Sequence, residues 1–128
     1  MSQRILIVED QEDNRKILRD LLTSAGFVPL EATTGEEGVT LAETEQPDLI
    51  LMDIQLPGLD GYEATRRIKA LPALQHTPII AVTSYALSGD DVKARDAGCD
   101  GYITKPFSPR ALLATVREYL RAGAGGSA

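Results

Sequence analysis

Four short apolar runs punctuate the chain, and each leads into a residue with chemistry of its own. They are Ile5-Leu6-Ile7-Val8 before Glu9-Asp10, Leu49-Ile50-Leu51-Met52 before Asp53, Ile79-Ile80-Ala81-Val82 before Thr83, and Gly101-Tyr102-Ile103-Thr104 before Lys105. The runs are rich in branched residues and nearly unbroken, the pattern of strands buried on both faces of a parallel sheet. A weaker run, Phe27 to Ala32, is interrupted by Pro29. Proline has no N–H for a ladder hydrogen bond, so this strand is predicted at a sheet edge.

Between the runs the apolar spacing changes to that of helices. From Asn14 to Ala25 the residues Ile17, Leu18, Leu21, Leu22 and Ala25 recur at three- and four-residue intervals, with Gly26 as a C-terminal stop. Further helices are predicted over Glu36 to Glu45, over Gly61 to Leu71 before Pro72, from a cap at Ser88 to about Ala97, and from a cap at Ser108 to Arg121. The last buries Leu112, Leu113, Val116 and Leu120, whereas the fourth has only Val92, Ala94 and Ala97 among charged neighbours and is expected to be weakly held. Residues 122–128 have neither periodicity nor bulk, so the sequence predicts one domain over residues 1–121 and a disordered tail. The alternation of strand and helix defines an α/β fold: a doubly wound, five-stranded parallel sheet with helices on both faces.

Composition narrows the partners. The chain has 128 residues with 43% hydrophobic content, enough for one core. Thirteen Lys and Arg against nineteen Asp and Glu leave a net charge of -6 with no basic patch, which argues against nucleic acid. Cys99 is the single cysteine, so no internal disulfide is possible. With no signal-peptide pattern and no run of ~18 apolar residues, the expected location is cytoplasmic, away from membranes.

In open α/β sheets the ligand site lies beyond the carboxyl ends of the strands, so the residues that end the runs converge on one edge. Like charges placed close together raise one another's pKa, and the trio Glu9, Asp10 and Asp53 therefore calls for a cation. With oxygen donors and no neighbouring His or Cys, Mg²⁺ suits the trio better than zinc. Asp53, single at the end of the central run, is the candidate nucleophile for a phosphoryl group. Lys105 offers a fixed counter-charge, and Thr83 a hydrogen bond to a phosphoryl oxygen.

These pieces together resemble the receiver domains of two-component response regulators. The resemblance is carried by Ile5 to Asp10, by Leu51-Met52-Asp53-Ile54-Gln55-Leu56-Pro57-Gly58-Leu59-Asp60-Gly61, by Val82-Thr83-Ser84, and by Gly101-Tyr102-Ile103-Thr104-Lys105-Pro106-Phe107; it spans residues 4 to 121. Within the family, Leu49 to Pro57 and Gly98 to Pro106 most resemble a stand-alone cell-cycle regulator. The resemblance implies a flavodoxin-like (βα)5 fold in which Glu9 and Asp10 hold Mg²⁺, Asp53 accepts a phosphoryl group from a kinase phosphohistidine, and the backbone carbonyl of Gln55 completes the metal shell. It further implies switch roles for Thr83 and Tyr102, phosphate pairing for Lys105, and a cis Lys105-Pro106 bond. Ser84 stands where the family most often has Ala or Gly. Gln55 and Tyr85 flank the approach of water, so the acyl-phosphate lifetime is not inherited from a relative.

The expected activity is that of a switch, not of an enzyme beyond its own phosphorylation and dephosphorylation. The expected partners are a sensor histidine kinase or histidine phosphotransfer protein and a downstream protein target. The target would bind the face of the fourth helix, fifth strand and fifth helix, on a protein expected as a monomer or weak dimer. A phosphorelay shuttle is the alternative output. An aspartyl-phosphate phosphohydrolase fits less well, because it wants a second acid two residues after the nucleophile, where Gln55 stands. A mononucleotide binder of similar fold would need a glycine- and hydroxyl-rich loop in place of Glu9-Asp10. His76 reads as a solvated loop residue, and Cys99 lacks a partner for redox or metal chemistry.

Overall fold

The computed structural model describes residues 3–83, 90–105 and 108–126. Its elements run β1 (Arg4–Val8), α1 (Glu12–Ser24), β2 (Val28–Ala32), α2 (Gly35–Glu45), β3 (Leu49–Asp53), α3 (Gly61–Lys69), a 3-10 turn at Pro72–Leu74, β4 (Ile79–Thr83), α4 (Asp90–Ala97), β5 (Gly101–Thr104) and α5 (Pro109–Gly126). All neighbouring strands pair in parallel, in the order β2-β1-β3-β4-β5. The fold expected from the alternating runs is the one observed.

Successive side chains on a strand point to opposite faces, so each central strand feeds two cores. Leu6, Val8, Ile50, Met52, Ile79 and Ala81 meet Ala42 of α2, Ala64 and Ile68 of α3 and Ala94 of α4. Ile5, Ile7, Leu49, Leu51, Ile80 and Val82 meet Leu18 and Leu22 of α1 and Leu112, Val116 and Leu120 of α5. This two-sided burial is why the runs are continuous and not alternating. Pro29 pairs with Ile5 on the edge strand β2, where its missing donor costs little.

The helix boundaries differ from expectation in instructive ways. Ile17 is 51% exposed instead of buried, because it lies about 100° round α1 from Leu18, off the buried stripe. The third helix stops at Lys69, and Leu71 is extended (φ -80, ψ 123), the conformation that a following proline imposes. The last helix continues past Arg121 to Gly126, although no apolar stripe continues with it.

A polar clip joins the far ends of the sheet's α3 and α4 side. The Lys69 ammonium donates to the carbonyls of Gln75 and Thr77 and to the Asp100 carboxylate (3.3, 2.7 and 3.0 Å), and Asp100 also accepts from the Ile79 amide at 2.9 Å. Gly98 makes the turn that brings Asp100 there, at a φ of +110° that favours glycine.

Candidate functional site

The carboxyl edge of the sheet is assembled from the ends of four strands. Glu9 follows β1 at the centre of the sheet and is only 2% exposed, and Asp53 ends β3 beside it at 5%. The Glu9 amide extends the ladder to β2 by donating to the Ala32 carbonyl at 3.0 Å. Its side chain is held at both oxygens: Oε2 accepts from the Gln11 amide (3.1 Å) and Oε1 from the Lys105 ammonium (2.9 Å). Asp53 Oδ1 accepts from the Gln55 amide at 2.9 Å, and its Oδ2 lies 3.8 Å from Lys105 Nζ. Lys105 therefore sits closer to Glu9 than to Asp53.

The backbone around Asp53 is fixed as firmly as its side chain. The Ile54 amide donates to the Val82 carbonyl and the Gly61 amide to the Ile54 carbonyl, each at 3.1 Å. A Cβ at Gly61 would stand 2.6 Å from Ile54 Cα and nearer still to the Asp53 carbonyl, so the start of α3 can approach β3 this closely only as glycine. Lys105 is rooted by its own amide, which donates to the Thr83 carbonyl at 2.7 Å.

Asp10 is half-buried at the mouth of the cluster. Burial pushes its carboxyl above the usual range, and the hydrogen bond and negative charge of Glu9 push the same way, against a backbone hydrogen bond and the Lys105 charge. Glu9, Asp10 and Asp53 each present a carboxylate oxygen, and the three oxygens lie within 4.8 Å of one another. Lys105 offsets one of the three carboxylates, leaving a surplus of negative charge that suits a divalent cation. A hard donor set of oxygens alone fits Mg²⁺ better than zinc.

The residues singled out from the sequence thus converge: Glu9, Asp10, Asp53 and Lys105 form one cluster. Thr83 is buried at the same edge, at the end of β4 and in register with Thr104. Tyr102 is half-buried in β5, in register with Ala81, two residues before Thr83. Gln55 contributes its amide to Asp53, with its side chain exposed. Ser84, Tyr85, the cap at Ser88 and the Lys105-Pro106 bond lie outside the described residues. His76 is exposed and Cys99 buried. Sequence reading missed Gln11, whose contribution is a main-chain amide, and Arg15. The Arg15 side chain donates to the carbonyls of both Glu9 and Asp10. Their only trace in the sequence is their place in the first turns after the acidic pair.

The comparisons with known proteins agree with this geometry. Residues 5–117 match the response regulator receiver domain family, and the chain belongs to it. Receiver domains are signalling modules of two-component systems and interact with histidine kinases and downstream targets. Among characterised relatives, the chain is 43% identical over 120 residues to the polar-differentiation response regulator DivK of Brucella ovis, covering 94% of this chain and 98% of that protein. Among solved structures, the receiver domain of a sensor histidine kinase from Pseudomonas aeruginosa PAO1 has a TM-score of 0.88 at 38% identity, over 94% of this chain and 98% of the other. That protein has a magnesium ion coordinated in its active-site cleft. A CheY-like receiver domain protein from Methanospirillum hungatei superposes with a TM-score of 0.92 at 33% identity, over 98% and 99% of the two chains. Among the described residues, no helix is long and apolar enough to cross a membrane.

Proposed function

We propose that Asp53 accepts a phosphoryl group from the phosphohistidine of a kinase or phosphotransfer protein in a Mg²⁺-dependent reaction, and that the resulting charge switches a protein-binding face formed by α4, β5 and α5. The observation that carries this reading is the convergence of three carboxylate oxygens within 4.8 Å of one another, with Lys105 paired to one of them. Glu9, Asp10, Asp53 and the backbone carbonyl of Gln55 would hold the ion, which when bound supplies positive charge between the carboxylates and the phosphoryl oxygens.

The Gln55 amide occupies Oδ1 of Asp53 and leaves Oδ2 toward Lys105 as the attacking oxygen. As Oδ2 bonds to phosphorus, the bond from phosphorus to the histidine nitrogen breaks and the imidazole keeps the electron pair. Lys105 gives up part of its contact with Glu9 to pair with the new dianion, and the Thr83 hydroxyl turns toward a phosphoryl oxygen. Tyr102 then moves into the space that Thr83 vacates. One charge-assisted hydrogen bond contributes about 1.5 to 3 kcal/mol, whereas full switching takes up to ~5.5 kcal/mol, so the lysine pairing and repacking of α4 must supply the rest.

The test is acetyl phosphate with Mg²⁺. One phosphoryl mass is expected on the wild type and none on Asp53→Asn; labelling of the variant would overturn the assignment. Thr83→Ala should still be labelled but should lose most of the phosphorylation-dependent change at Tyr102. A phosphoryl group that passes onward to a histidine phosphotransfer protein, with no change on the α4-β5-α5 face, would favour a relay shuttle over an effector.

A further inference from the structure

Arg15 lies one turn into α1 yet is only 12% exposed, and its guanidinium is spent on the loop ahead of it. Nη1 donates to the carbonyls of Glu9 (3.1 Å) and Asp10 (3.2 Å), Nη2 pairs with Glu12, and Nε is 3.5 Å from Glu31 on the edge strand β2. Glu31 is anchored in turn by Arg19 at 2.9 Å. The two carbonyls belong to residues between β1 and α1, and among the described residues no main-chain N–H donates to either.

We propose that Arg15 is a positioning residue for the acidic loop: it holds the main chain of Glu9 and Asp10 so that their carboxylates face the cation. This rests on the reading of that loop as a Mg²⁺ site. The planar, five-donor guanidinium can reach two carbonyls and two carboxylates at once, and a lysine cannot. The sign of the effect separates positioning from charge. Arg15 is a cation near a cation site, so if it acted through charge alone, its removal would tighten Mg²⁺. If it holds the loop, its removal must weaken Mg²⁺.

The experiment follows amide shifts of the full chain during titration with MgCl2, for wild type, Arg15→Met, Arg15→Lys and Arg19→Met. Arg15→Met is expected to raise the dissociation constant by about 10-fold, the scale on which groups that orient metal ligands act. Arg15→Lys should fall between it and wild type. Arg19→Met removes the same charge without touching the carbonyls and should bind as tightly as wild type or more tightly. In the metal-free protein, exchange of the Gln11 amide, which donates to Glu9, should quicken in Arg15→Met while that of Leu6 does not. Loss of stability would reduce the amplitude and leave the midpoint in place, and if Arg15→Met does not fold, Arg15→Lys carries the comparison. Wild-type binding with equal or tighter binding by the Arg15 variants, or unchanged Gln11 exchange, overturns the role of Arg15 and leaves the metal site standing. No localised shift in the wild type overturns the metal site and the inference with it.

Discussion

Strands β3 and β5 both deliver a residue to the same site, and they are built to different standards. All five residues of β3 are buried, between β1 and β4. β5 is an edge strand whose residues are half-buried or exposed. The helices beside them differ in the same way. α3 buries Ala64, Thr65 and Ile68 and is capped by Asp60, which accepts from the Glu63 amide at 2.9 Å. α4 offers Ala94 and Ala97 to the core and leaves Val92 48% exposed. The acidic half of the site is thus fixed in the core, and the half that ends in Lys105 rests on a lightly packed edge. Local opening costs least where few apolar contacts are made, so the side that ends in Lys105 is expected to open before the side that ends in Asp53.

The sharpest way to break the contrast is to damage the rigid side. Leu51→Ala in β3 removes a buried side chain from between α1 and α5 and should cost about 2 to 5 kcal/mol in urea unfolding. A cost near 1 kcal/mol would mean that β3 is less firmly set than its burial indicates. Next in size is the tether between the halves. Asp100 binds Lys69 of α3 and the Ile79 amide of β4, and Asp100→Ala leaves that amide without its carboxylate, for an expected cost of about 1 to 3 kcal/mol. Hydrogen exchange should quicken first in α4 and β5, with β3 little changed; a uniform change would show that the two halves open together.

The same contrast explains what the sequence could announce. Strands buried on both faces must be apolar throughout, so β1, β3 and β4 were plain, and the residues at their ends declared the site by chemical type. Edge position was legible at β2 through Pro29, because a strand that lacks a donor is tolerated best at a sheet edge. Contacts made by main-chain atoms leave no such mark. Gln11 grips Glu9 through an amide that any residue but proline would carry, and Arg15 on a polar helix face looks like any solvated arginine. The Lys105 ammonium stands 2.9 Å from Glu9 and 3.8 Å from Asp53, a difference in side-chain placement that no run of residues records. The partners of Asp100 are 21 and 31 residues away, a separation that no local pattern records.

A smaller effect comes from Cys99, which sits where the lightly packed side touches α3, its Sγ 3.7 Å from the Thr65 hydroxyl. Burial pushes its thiol above the ordinary value, helped by the Asp100 charge and opposed by Thr65 and Lys69. The folded state therefore favours the protonated thiol. Stability from this source is intact at neutral pH and falls as pH rises past ~8.5, where the unfolded thiol ionises first. The urea midpoint of the wild type should drop more than that of Cys99→Ala between pH 8 and 10, and a thiol reagent should react slowly at pH 8 until the chain opens. Equal drops in the two proteins would mean that Cys99 is as accessible as an ordinary surface thiol.

The smallest expected change is at Val92 on α4, and it bears most directly on whether that helix is lightly held. Two opposing contributions meet in Val92→Ala. The lost side chain is about half in water already, so its burial contributes at most ~0.8 kcal/mol. Alanine recovers part of the ~0.7 kcal/mol range of helix propensity that a β-branched residue gives up. The sum should lie within about 0.5 kcal/mol of zero, as for surface positions generally. Leu112→Ala in α5, fully buried against the other face of the sheet, should by contrast cost about 2 to 5 kcal/mol. If Val92→Ala instead costs well over 1 kcal/mol, α4 is held by contacts its exposure does not reveal. Repacking of α4 would then be too expensive to contribute to switching, and the burden would shift to Lys105 and β5.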